Sequence, residues 1–123
     1  MFNLNTLTME KYMYLFRGGD VSTLSPEQQQ AHMQKWFAWV EKLTKQGRYV
    51  AGEPLLPGGK TVSGSKKAVT DGPFTESKEI IGGFFTVYAS TLDEAVEMSK
   101  ECPDFEFDGS VEVREIMKID VPA

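Results

Sequence analysis

The sequence predicts an α+β domain with two helices on one face of a sheet, and three observations lead there. Two helix starts are marked by capping boxes, Ser25 with Gln28 and Thr91 with Glu94. Short aromatic and β-branched runs flank both helices, which is the composition of strands. A hairpin signal interrupts the middle, so the order reads strand, helix, strand, inserted hairpin, strand, helix, strand. Such an order favours a ferredoxin-like arrangement, in which the helices segregate to one side.

The elements follow in turn. Residues 1–10 read as a polar arm and residues 11–120 as one domain. Lys11 to Arg17 is the first strand, with Tyr12, Tyr14 and Phe16 on one face and Met13 and Leu15 on the other, closed by Gly18-Gly19. The first helix has Pro26 at its opening turn and Gly47 as its stop. Met33, Trp36, Phe37, Val40 and Leu43 give its apolar stripe, and a shoulder of His32, Trp36, Trp39 and Leu43 widens it. Arg48 to Gly52 is the second strand. Thr61 to Thr70, turning near Gly64-Ser65, is the hairpin. Ile80 to Ala89 is a longer strand whose Gly82-Gly83 pair predicts a bulge or a close backbone approach. Leu92, Ala95, Val96 and Ser99 form the narrow stripe of the second helix, ended by Cys102-Pro103. Val111 and Val113 alternate with Glu112 and Arg114 in the last strand. The sheet face away from the helices then holds large apolar side chains with no cover in this chain. A second copy is the simplest cover, so a homodimer through the sheet faces is expected.

Composition narrows the function classes. The 123 residues are enough for one real core. Thirteen basic against 18 acidic residues argue against a nucleic-acid partner, since no basic cluster larger than Lys66-Lys67 is present. The single Cys102 precludes an internal disulfide and fits a reducing, cytoplasmic location; the amino terminus has no signal-peptide pattern and no run approaches a membrane span. With one histidine and one cysteine, a zinc site of the usual kind lacks ligands, and neither a metal nor another cofactor is expected. A phosphate loop and a nucleophile elbow are also absent.

One stretch is more specific. Asp71-Gly72-Pro73-Phe74, then Thr75-Glu76-Ser77-Lys78-Glu79 and Gly82-Gly83-Phe84, resembles the signature of the DGPF branch of YCII-related proteins. The similarity continues through Leu92-Asp93-Glu94-Ala95, Cys102-Pro103 and Gly109 to Arg114, and covers about residues 10–117. It implies a ferredoxin-like fold of the dimeric α/β barrel type. It also implies a histidine on the first helix paired with an aspartate as an acid–base dyad, which carries over to His32 and Asp71. Read from its residues alone, the motif is a tight corner: Gly72 tolerates φ > 0, Pro73 forces an extended exit and Phe74 plugs the core.

Two functions then compete. One is a small-molecule enzyme or ligand-binding protein, using proton transfer without a cofactor on a hydroxylated ring or a lactone, with Trp39, Arg48 and Glu53 around the cleft. The other, again implied by the resemblance, is a regulatory module with a protein partner such as an alternative sigma factor, in which His32 is dispensable. A structural dimer without chemistry is what remains if neither holds. Cys102, lacking basic neighbours, reads as structural.

Overall fold

A computed structural model of the chain describes residues 8–72 and 79–120. The first strand, β1, is Glu10–Arg17, followed by helix α1 (Pro26–Lys45) and strand β2 (Tyr49–Pro54). The hairpin strands are β3 (Lys60–Ser63) and β4 (Ala68–Asp71). Strand β5 (Ile81–Ala89), helix α2 (Leu92–Ser99), a 3-10 turn (Pro103–Phe107) and strand β6 (Ser110–Glu115) complete the chain. Pro73, Phe74 and Thr75 to Lys78 of the corner motif lie outside the described residues, as do residues 1–7 of the amino-terminal arm.

Four strands form one antiparallel sheet in the order β2-β5-β1-β6, with the two helices packed on it; β3 and β4 form a separate two-stranded sheet. This is the expected α+β, ferredoxin-like arrangement with its inserted hairpin. None of the helices is long and apolar enough to cross a membrane, among the described residues.

Local chemistry accounts for the boundaries. Ser25 Oγ accepts from the Gln28 N–H and Gln28 Oε1 accepts from the Ser25 N–H, so the first capping box forms in full. At the other end Gly47 (φ 71°) lets its own N–H reach Thr44 O and the Arg48 N–H reach Leu43 O. Both are the bonds of a Schellman ending. The second box is shifted: Thr91 Oγ1 accepts from Glu94 N, but the Glu94 carboxylate takes the N–H of Ser90, one residue earlier. In β5 the register skips at Gly82, and a Cβ on Gly83 would sit 2.9 Å from Glu53 O. Bulge and close approach therefore both occur at the glycine pair.

The core lies between sheet and helices. Tyr12, Tyr14 and Phe16 of β1 pack with Phe85, Val87 and Ala89 of β5, closed above by Trp39, Leu43 and Ala95. The buried stripe of α1 is His32, Trp39 and Leu43, with Trp36 partly covered. This corrects the expected stripe: Met33 and Phe37 are 50% and 58% exposed. The residues at 32, 36, 39 and 43 follow the helical repeat, so what looked like a shoulder is the face that meets the sheet. Leu92, expected in the stripe of α2, is also exposed, while Ala95 and Ser99 are buried.

Candidate functional site

His32 sits on the buried face of α1, one helical turn before Trp36. Its Nε2 lies 2.8 Å from Asp104 Oδ1, a carboxylate on the 3-10 turn. The His32 and Asp104 side chains are only 8% and 15% exposed. The ring of Phe107, from the same turn, stands edge-on to the imidazole with centroids 4.9 Å apart. The indole nitrogen of Trp36 is 3.2 Å from His32 Nε2.

Nε2 cannot donate to a carboxylate and accept from an indole N–H at once. The buried carboxylate is the stronger acceptor and the shorter contact, so we assign the proton to Nε2, donating to Asp104 Oδ1, with the indole N–H of Trp36 in a longer contact beside it. In this neutral tautomer the lone pair of Nδ1 is left over. It is buried and has no hydrogen-bond partner in the structure.

Asp104 is held by shape as well as by bonds. A Cβ on Gly19 would lie 2.5 Å from Asp104 Cγ and Oδ2, and one on Gly109 would lie 2.8 Å from Asp104 Cβ. Both glycines are therefore walls of a socket that any larger residue would fill. Gly19, with φ 69°, has a second reason to be glycine. Burial raises the Asp104 pKa above the usual carboxylate value, although the hydrogen bond and charge of His32 and the Trp36 N–H pull the other way.

The expected partner of His32 is thus corrected. Asp71 ends β4 on the hairpin, exposed, with its carboxylate on Lys60. Nε2 of His32 goes to Asp104 and Nδ1 has no partner, so neither ring nitrogen meets Asp71. The 3-10 turn that carries Asp104 packs against α1, and its carboxylate takes the place beside His32.

Trp39, Arg48 and Glu53 do not join the pair. Trp39 is a core residue, stacked on Tyr14 at 6.0 Å and tilted against Phe85 at 5.2 Å. Arg48 holds Glu94 at 2.5 Å and reaches Tyr88 O, tying the start of β2 to the start of α2. The Ser90 N–H first, and then Arg48, hold the Glu94 carboxyl below its usual range. Glu53 is exposed on the edge strand β2. Cys102 is buried, and desolvation pushes its thiol up to about 12, in keeping with a structural role. Among the described residues no group of three or more His, Cys, Asp or Glu side chains is arranged to hold a metal ion.

No curated protein matches the chain. Among solved structures, the 5-chloro-2-hydroxyhydroquinone dehydrochlorinase of Burkholderia phenoliruptrix AC1100, in complex with 2,5-dihydroxybenzoquinone, is similar at 16% identity and a TM-score of 0.46. That alignment covers 87% of this chain and 93% of the other. The model of the YCII-related domain matches residues 10–120, nearly the whole sequence, and the chain therefore belongs to the YCII-related family.

Proposed function

We propose that the chain is a small-molecule enzyme that moves protons through His32, with Asp104 as its supporting carboxylate and without a cofactor. The observation that carries this reading is the unpartnered Nδ1 opposite a hydrogen-bonded Nε2. A carboxylate on one ring nitrogen fixes the tautomer and presents the other as a base. When Nδ1 takes a proton from a substrate, Asp104 compensates the charge of the imidazolium, and returning the proton to a different substrate atom completes an isomerisation or sets up an elimination. The socket formed by Gly19 and Gly109 holds Asp104 in place, and Asp71 is left as the hairpin carboxylate bound to Lys60.

The test is turnover of a panel of hydroxylated rings and lactones. For any compound the wild type converts, His32→Ala should reduce kcat by about 10²–10⁴-fold, the usual span for a general acid–base, with the circular dichroism spectrum unchanged. Equal turnover by His32→Ala sinks the reading.

The Asp71-Gly72-Pro73-Phe74 run supports assignment to the DGPF branch of the family. A second copy of the chain is the partner we infer. Met13, Leu15, Phe84 and Tyr88 lie on the sheet face opposite the helices, only partly covered within one chain, and Val50 on β2 is 37% exposed. Sedimentation of the wild type should give twice the chain mass, and Leu15→Glu with Phe84→Glu should give the single mass. A wild type that stays monomeric at high micromolar concentration removes the dimer.

A further inference from the structure

An open groove of about 530 Å³ runs between α1 and residues 100–106, the segment that leaves α2, and His32 is not on its border. Its size suits a small molecule. Lys35, Ala38, Trp39 and Lys42 form the wall on α1, at the spacing that puts four residues on one helix face. Cys102, Pro103 and Phe105 face them, and Phe105 is 46% exposed. Two ion pairs strap the walls together, Lys35–Glu106 and Lys42–Glu101, both at 2.5 Å.

Trp39 brings a polar atom to this apolar floor. Its indole N–H is buried and finds no acceptor among the described residues, and an unpaired buried donor is costly. An indole N–H only donates, so whatever completes it carries an acceptor. Lys35 and Lys42 stand one turn before and one turn after Trp39 on the same face, and Lys100 borders the groove beside Glu101. Three lysines against Glu101 and Glu106 favour an acceptor that is anionic. Nor are the lysines locked: both partners of each strapping pair are about half exposed, and such pairs exchange at little cost.

We infer that the groove is a binding site for a small apolar monocarboxylate, an alkyl or aryl acid. Its carboxylate takes the N–H of Trp39 and replaces Glu101 on Lys42 or Glu106 on Lys35, while its apolar body lies on Ala38, Pro103 and Phe105. The site does not involve His32 and does not depend on proton transfer there.

Octanoate is the probe, read by the indole N–H signals in NMR. Trp36 and Trp39 are the only tryptophans, so two signals appear, and the one missing from Trp36→Phe belongs to Trp36. Octanoate should shift the Trp39 signal downfield and saturably, as its N–H gains an acceptor. n-Octanol, with the same tail and no charge, should bind about tenfold more weakly or worse. Lys35→Gln with Lys42→Gln should weaken octanoate by about tenfold, the sum of two exposed ion pairs. Glu101→Gln should act in the opposite direction and tighten it roughly two- to fivefold, because the anion that competes for Lys42 is gone. All these side chains are about half exposed, so the fold is retained, which the indole spectrum of each free variant checks.

A Trp39 signal that octanoate leaves unmoved up to its solubility limit overturns the site. So does a shift that n-octanol reproduces at equal concentration, or one that the lysine and glutamate substitutions leave unchanged, since the contact would then be apolar adsorption. Turnover by wild type and by His32→Ala is read separately, so failure of this site and failure of the acid–base reading are told apart.

Discussion

Asp104→Asn is expected to leave the domain as stable as the wild type or more so at neutral pH, while any turnover that depends on His32 collapses. Asparagine keeps the shape of the socket beside Gly19 and Gly109, and its carbonyl oxygen can still accept from His32 Nε2–H. What it removes is the buried negative charge. Burial raises the Asp104 pKa in the folded chain above the value near 3.9 expected of an unfolded one. Between those two values the folded state binds more protons than the unfolded state, so stability falls as pH rises through that window. Above the folded value the loss is complete and constant, and the asparagine variant lacks it. Thermal melts from acid to neutral pH check this directly: the two proteins should be closest below the unfolded carboxylate value, and the variant should gain on the wild type above it. Each 1 kcal/mol of difference reads as roughly 4–8 °C in Tm. A carboxylate kept despite such a penalty, next to an imidazole with a free nitrogen, is what proton transfer requires. A variant that instead loses about 2 kcal/mol or more makes the pair a structural clamp, and the proton-transfer reading falls with it.

How much of this could be read from the residues depends on range. The strands, both helix starts and the glycine bulge rest on interactions within a few residues, and there the sequence is explicit: Ser25 with Gln28, Gly47 with Thr44, Gly83 against Glu53. The strand order then follows from chain connectivity, because two crossings over helices leave few sheets to build. His32 could be singled out because it is the sole histidine on an apolar helix face. Its partner could not. Asp104 lies 72 residues away on a turn with no periodicity, and nothing in Cys102-Pro103-Asp104 separates it from an ordinary helix exit. The Gly18-Gly19 pair was the one available clue, since two adjacent glycines after a strand often mark a close approach. What approaches, the Asp104 carboxylate, is a fact of tertiary packing. The choice between the two stripes of α1 was ambiguous for a related reason. Met33 and Phe37 are as apolar as Trp36 and Trp39, and only the aromatic layer of β1 and β5 decides which pair faces inward.

That choice has a large energetic consequence. Trp39 is 4% exposed, parallel to Tyr14, and touches Phe16, Phe85 and Trp36. Replacing it with alanine removes a whole indole from the meeting point of helix and sheet, where Leu43 and Tyr14 are too fully enclosed to collapse into the gap. Trp39→Ala should therefore cost about 3–5 kcal/mol, a large fraction of the roughly 5–15 kcal/mol that holds a domain of this size. Its indole nitrogen has no hydrogen-bond partner, so no lost polar bond adds to that figure. Phe37, two residues earlier on the same helix, is 58% exposed, and Phe37→Ala should change stability by less than about 1 kcal/mol. Urea unfolding of the two variants measures the contrast: the midpoint should fall by more than about 1 M for Trp39→Ala and barely move for Phe37→Ala. If Phe37→Ala were as damaging and its loss grew with protein concentration, the outer face of α1 would be covered by another chain. If the two were equal at every concentration, α1 would be turned the other way, His32 would face solvent, and the pair with Asp104 would not exist.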